Sequence, residues 1–265
     1  MLNFKIIENN GIVTDDNYYE DRKYITASMI KAACNCSKVK FDYMMDNNKE
    51  TDSMLFGSAF HHLILEPDTF KEHYAFEPAI DKRTKAGKEY IAEWLERHKD
   101  VPNIISEKHE QKLYDMRDNL LSHPTFEKLM SGWSNSFKEK IYLFNYKEHN
   151  CKLKVDYYDP IENYIVDIKT CNSVNIDDIK ESIDKYMYFI QAAFYKDALS
   201  ANKFYFVFIE KKEPYDIVIV DYQSRLDDGR VCYSIGCSNI ELFRTMDEQG
   251  DKEKLFYGEN EIQLL

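Results

Sequence analysis

The chain has 265 residues, 44% of them hydrophobic and 31% charged, with a formal net charge of −12. That length suits one large domain or two small ones, and no stretch approaches the apolar length of a membrane span. Such acidity weighs against a passive nucleic-acid binder more than against an enzyme whose cleft is locally basic or holds a metal.

The first residues, Met-Leu-Asn-Phe-Lys-Ile-Ile-Glu-Asn-Asn, lack the basic and apolar regions of a secretory leader, so a cytoplasmic location is the expectation. In that compartment Cys34, Cys36, Cys151, Cys171, Cys232 and Cys237 are expected to be reduced thiols. Residues 1–25 read as an N-terminal extension, polar and acidic over 1–20 and partly extended. Thr26-Ala27-Ser28 reads as a helix start, followed by apolar Met29, Ile30 and Ala33 and later Phe41, Tyr43 and Met44. Arg22-Lys23 precede that start, and a helix N-terminus is a ready anion site. Ser53 to Leu65 reads as a second, largely apolar helix, stopped near Glu66-Pro67. Gly57 and Ala59 are small enough for this helix to approach a sheet closely. Residues 83–121 are helical in pattern, rich in Lys, Arg and Glu, and therefore peripheral. Lys82, Arg83, Lys85 and Lys88 either track a duplex or form a solvated surface, the usual fate of such charge runs.

The texture changes after Trp133. Residues 136–145, 150–158 and 163–169 read as three strands, 185–200 as a helix, 204–209 and 216–220 as strands, and 224–247 as a final helix. Residues 248–265, with Gly250 and Gly258, read as a loose tail. The order predicts one α/β domain, with a mainly helical part over 26–132, an αβ core over 133–247 and a mixed sheet flanked by helices.

The chemistry concentrates at three residues. Asp156 and the segment Asp167-Ile168-Lys169 fall on neighbouring strands joined by the turn Asp159-Pro160-Ile161-Glu162-Asn163. Side chains alternate along a strand, so Asp167 and Lys169 share a face, and Asp156 can stand beside them. Converging carboxylates bind a hard divalent cation, and a lysine beside them can hold the attacking water. An exposed ion pair is the bland alternative. Apolar Ile165, Val166 and Ile168 argue against it, because a buried strand spends charges only on partners or metals. His61 and His62 point about 100° apart on a helix, so only one can face a given point. Glu66 is either a further acid near that point or a structural helix-end carboxylate. Gln191 and Tyr195 share a helix face, with Tyr188 able to join them. A lone Gln among apolar residues needs partners.

These motifs resemble a known family. Gly57-Ser58-Ala59-Phe60-His61-His62-Leu63-Ile64-Leu65-Glu66-Pro67 resembles the Gly-x-Ala-x-His-x-Leu-x-Leu-Glu-Pro segment of the RecE-type exonucleases, the exonuclease VIII family. Lys82-Arg83-Thr84-Lys85-Ala86-Gly87-Lys88 and Tyr188-Phe189-Ile190-Gln191-Ala192-Ala193-Phe194-Tyr195 are also similar to that family. Asp156 with Asp167-x-Lys169 resembles the PD-(D/E)XK nuclease motif, and the likeness runs with gaps from Thr26 to Ile209.

The resemblance implies a single nuclease domain with a PD-(D/E)XK core. It implies a Mg²⁺-dependent 5′-to-3′ exodeoxyribonuclease, with Mn²⁺ able to substitute, that leaves 3′ overhangs for recombination. His61, Asp156, Asp167 and the main-chain carbonyl of Ile168 are the implied metal ligands, and Lys169 positions the nucleophile. Gln191 is implied to orient Lys169 or a DNA phosphate, with Tyr188 and Tyr195 on the same face. Ile25-Thr26-Ala27-Ser28 is similar to a segment near the bound 5′ phosphate in lambda-type exonucleases, which implies Ser28 and Arg22 as phosphate contacts. Arg83 and Lys85 are further DNA-contact candidates. Implied partners are duplex DNA ends, a RecT-like annealing recombinase and other copies of the chain, in a ring of three or four, in a phage or prophage setting. An iron–sulfur cluster, carried by some nucleases of this fold, is not expected. Cys34 or Cys36 and Cys232/Cys237 fall in the right regions, but their spacing is poor and a third late cysteine is missing. The alternatives are a same-fold endonuclease, an iron–sulfur exonuclease and a non-catalytic DNA-end binder. Two departures stand out. Lys154-Val155-Asp156 replaces the family's Arg-Pro-Asp, and the region before Tyr24 matches nothing in the family.

Overall fold

The computed structural model describes residues 4–15, 17–34, 36–47, 51–132 and 137–249. Trp133 and the predicted tail beyond Gln249 lie outside the described residues. Phe4–Ile7 forms strand β1, in keeping with an extended start. Helix α1 spans Ala27–Cys34, and Thr26 Oγ1 caps it by accepting from the Met29 N–H at 3.2 Å. Helices α2 (Lys38–Asp46) and α3 (Asp52–Leu65) are capped by Ser37 and Thr51, and α3 stops before Pro67 as predicted. A Cβ at Gly57 would meet Thr170 Oγ1 at an ordinary 3.6 Å, so the approach of α3 to the sheet does not depend on that glycine. Helix α4 (Phe70–His73) leads into β2 (Tyr74–Glu77). The stretch expected to be helical over 83–121 is interrupted. It holds α5 (Lys85–Arg97), then β3 (Asn103–Ser106) paired parallel to β2, then α6 (Glu110–Leu121). Helix α7 covers Pro124–Leu129.

Two of the three predicted strands each break in two. One divides into β4 (Phe137–Lys138) and β5 (Ile141–Tyr146), the other into β6 (His149–Lys154) and β7 (Tyr157–Asp159). The halves join different sheets. β5 and β6 complete a three-stranded antiparallel sheet in the order β1-β5-β6. β4 and β7 join β8 (Tyr164–Cys171), β9 (Lys203–Glu210) and β10 (Ile217–Asp221) in the order β10-β9-β8-β7-β4. That sheet is mixed, with β8 and β9 parallel and the other pairs antiparallel. The bends fall at Glu139-Lys140 and Val155-Asp156. Glu139 takes a left-handed φ of 48°, a costly conformation for a residue other than glycine. Hydrogen bonding survives the bend, because Glu139 N–H donates to Asp156 O at 3.1 Å and Val155 N–H to Lys140 O at 3.2 Å.

Between the parallel strands run α8 (Ile176–Lys185) and α9 (Tyr188–Ala198), and α10 (Leu226–Gln249) follows β10. α9 and α10 match their predicted spans closely. α8 was not foreseen, because its apolar stripe is only Ile176, Ile179 and Ile183 among charged residues. Period-two alternation sorts the core. Phe204, Phe206 and Phe208 of β9 and Ile165 of β8 face α1, α9 and α10. Val207, Ile209, Val166 and Ile168 face α3 and α6. Asp167 and Lys169 alternate with that second set, so they project toward α1 and α9. Gly229 sets the closeness of α10 to α9, since a Cβ there would lie 2.5 Å from the Phe189 carbonyl oxygen. Among the described residues no helix is long and apolar enough to cross a membrane.

Candidate active site

The interruption between β6 and β7 places Asp156 where β7 ends its pairing with β8. The register Tyr157↔Val166 brings Asp156 beside Asp167, as the hairpin reading required. Asp156 itself sits at the bend rather than within a strand. Its Oδ2 accepts from the Ile168 N–H at 2.7 Å and lies 3.4 Å from His61 Nδ1. In a strand the N–H and C=O of one residue face the same edge, so the Ile168 carbonyl turns toward this opening too. Asp167 is 2% exposed. Its Oδ1 accepts from Gln191 Nε2 at 2.6 Å. Its Oδ2 lies 2.6 Å from Lys169 Nζ, a buried ion pair.

A third carboxylate, absent from the sequence reading, completes the cluster. Glu139, His61 and Asp156 each offer a ligand atom, all within 4.8 Å of one another. The β5–β6 hairpin explains Glu139's place. Tyr146 pairs with His149 and Ile141 with Lys154, and carrying that register on sets Glu139 opposite Asp156. The signal was therefore the hairpin register. The turn Lys147-Glu148 has none of the glycine or asparagine that marks a two-residue turn, so the register could not be read.

Electrostatics show what this cluster lacks. Burial, then the Asp156 charge, pushes the Glu139 carboxyl up to about 7, although Lys154 pairs with it at 2.6 Å. Burial, aided by Asp156, raises Asp167 despite the Lys169 ammonium. At Asp156 burial pushes the same way, but the His61 and Lys169 charges outweigh it and hold the carboxyl low. His61 is raised, because Asp156 overcomes the burial that would keep it neutral. Three crowded carboxylates and an imidazole make a donor set that fits a hard divalent cation.

The other predicted residues divide into two groups. Gln191 and Tyr195 of α9 line the same cleft of about 760 Å³ as the carboxylates, with Tyr188, Ser28 and Arg22. Gln191 holds Asp167 rather than Lys169, which corrects one of its implied roles. Tyr195 shares a hydrogen bond with Tyr18, and the Tyr188 ring lies under Lys169 Nζ at 5.0 Å. Arg22 reaches Asp46 Oδ1 and the Met45 carbonyl, both at 2.7 Å. Arg83 and Lys85 are not brought to the centre, and each has an acid beside it: Asp81 for Arg83 and Glu89 for Lys85. His62 Nε2 bonds with Thr69 Oγ1 at 2.9 Å and its ring packs edge-on or tilted against Phe70, His73 and Tyr74, while it also lines the cleft. Glu66 caps the end of α3 and also lines the cleft. Cys34 and Cys36 donate to the carbonyls of Cys232 and Ala32.

A family model described as a PDDEXK-like domain of unknown function (DUF3799) matches residues 26–233. The chain belongs to this family. Among solved structures, the PDDEXK-like chain is similar to a candidate exonuclease from Eubacterium rectale. The two share 16% identity over 91% of this chain and 88% of that one, with a TM-score of 0.61. A phage-related exonuclease from Haemophilus somnus 129PT is also similar, at 15% identity over 85% and 96% of the two chains, with a TM-score of 0.38. At such identities the likeness to the first establishes the fold alone. No curated protein matches the chain in sequence. The α/β fold is thus a PDDEXK-like core with a mixed sheet flanked by helices, as the resemblance implied.

Proposed function

We propose that this PDDEXK-like protein is a Mg²⁺-dependent exodeoxyribonuclease of the RecE type. It would remove one strand of duplex DNA from the 5′ end and leave a 3′ overhang for an annealing recombinase. One observation carries the reading: the buried Asp167 carboxylate, ion-paired with Lys169 at 2.6 Å, stands next to the His61–Glu139–Asp156 cluster. His61, Asp156, Asp167 and the Ile168 carbonyl would hold the metal, with Glu139 added to the sequence-derived set. Bound there, Mg²⁺ supplies a more acidic water and neutralises charge on the phosphate. Lys169 orients the attacking oxygen and offsets charge developing on the phosphorane. Gln191 fixes the rotamer of Asp167. The RecE-type affiliation, the 5′ polarity, the ring and the phage setting rest on the motif resemblance.

The test uses linear duplexes labelled at the 5′ or the 3′ end, with a closed circle as control, in Mg²⁺ or EDTA. Early release of 5′-terminal nucleotides, dependence on Mg²⁺ and an intact circle are expected. Cutting of the circle moves the protein to the endonucleases, and iron in the purified protein to the cluster-bearing exonucleases. Ends bound but never cut mark a non-catalytic binder.

A further inference from the structure

One cation beside this centre has no task in the scheme above. Lys31 is a half-buried residue of α1, and its Nζ lies 5.2 Å from the centroid of the Tyr188 ring. Lys169 Nζ lies 5.0 Å from the same centroid, so two ammonium groups share one aromatic neighbour on the cleft wall. Among the described residues no carboxylate pairs with Lys31. Asp167 attracts it, but that carboxylate is already engaged by Lys169 and Gln191. Burial, followed by repulsion from Lys169, lowers the Lys31 pKa to about 7.

Two other sheltered lysines hold carboxylates, and the buried Lys152 donates to the Asp21 carbonyl at 2.5 Å. Lys38 holds Asp42 and Asp247, each at 2.6 Å, and Lys154 holds Glu139 and Asp15. A sheltered ammonium without a counter-ion is costly, and a ligand that brings an anion removes that cost. Ser28 stands one turn earlier on the same face of α1, exposed and on the cleft wall. The helix start beside it favours negative charge. The anion the nuclease reading brings into this cleft is a phosphodiester.

We propose that Lys31 is a substrate-binding residue that holds a non-bridging oxygen of a backbone phosphate in the strand being cut, next to the phosphate at the carboxylate centre. This rests on the nuclease reading and adds to it a residue outside the matched motifs. Contact with the phosphate supplies the counter-ion that Lys31 lacks and separates its task from that of Lys169.

The experiment measures duplex binding by fluorescence anisotropy against salt, with Ca²⁺ in place of Mg²⁺ to hold cleavage off. Lys31→Met should weaken binding about tenfold and flatten the slope of log affinity against log salt by about 0.7–0.9, the share of one phosphate. Lys31→Arg should keep the wild-type slope. A single uncharged methylphosphonate is also walked along the strand. Wild-type protein should lose about tenfold at one position beside the cut, and Lys31→Met should lose nothing further there. An unchanged slope, or losses that add, overturns the assignment. If Lys31→Met does not fold, the walk on wild-type protein decides, and no sensitive phosphate beside the cut overturns it. Wild-type protein that neither binds nor cuts any duplex overturns the nuclease reading itself, which keeps the two failures apart.

Discussion

Replacing Gln191 with leucine tests whether α9 governs the chemistry through Asp167. The amide donates to Asp167 Oδ1 at 2.6 Å, and the carboxylate is 2% exposed, so water does not replace the lost donor. Hydrogen bonds to charged groups contribute about 1.5–3 kcal/mol, or about 10- to 150-fold in an equilibrium. The loss falls on the ionised form. Burial already raises the Asp167 pKa, and removing a donor to its anion raises it further. The fraction of protein able to bind metal therefore drops most at low pH. The assay is the initial rate of Mg²⁺-dependent cleavage of an end-labelled duplex from about pH 6 to 9. Gln191→Leu should cut about 10- to 100-fold more slowly near neutral pH, and the deficit should shrink as pH rises. A few degrees of lost melting temperature are expected as well. A deficit equal at every pH, or none, refutes the positioning role.

Other outcomes test neighbouring parts. Asp167→Ala and Lys169→Ala should abolish cleavage with circular dichroism unchanged, and normal activity in either purified variant removes it from the site. The metal-free protein should lose stability as pH rises from about 4.5 through about 7, because folding raises the Glu139 pKa and so disfavours its anion. His61, also raised, contributes in the same direction. The loss should be about 3 kcal/mol, or about 6–12 °C, and saturating Mg²⁺ should erase it; a flat melting profile across that range sinks this account. Gly229→Ala should cost about 1–3 kcal/mol, because the added methyl meets the Phe189 carbonyl oxygen and Ala193 Cβ at 2.5 and 2.6 Å. A melting temperature equal to wild type would show that α10 gives way freely.

What the sequence made legible follows from how local each signal is. Alternation alone put Asp167 and Lys169 on one face, because Ile165, Val166 and Ile168 mark β8 as a buried strand. The helix bearing His61 announced itself by its apolar run from Ser53 to Leu65 and by Pro67. Glu139 was hidden because its place depends on a pairing register and on a bend, and neither has a glycine or proline to mark it. The strand breaks failed for the same reason. A chain leaves one sheet for another without changing its preference for extended backbone, and Lys154-Val155-Asp156 reads as strand throughout. β3 was missed because four residues between two helices carry too short a pattern to outweigh their surroundings. Lys31 escaped notice because a lysine on a helix is ordinary until the helix is known to face a cleft.

The split hairpin has a practical corollary at the amino end. The seam between the two sheets is where Glu139 and Asp156 meet, and β1 forms the far edge of one of those sheets. Asp15 pairs with Lys154, the Asp21 carbonyl accepts from Lys152 Nζ, and Tyr18 is buried against the same wall. The described residues among the first twenty-odd therefore work as a clamp on the hairpin that carries Glu139 and Asp156, although they share no recognisable motif with the family. A purification tag or a trimmed start placed there would loosen that clamp, and an inactive preparation made that way would report on the handling of the protein rather than on its chemistry.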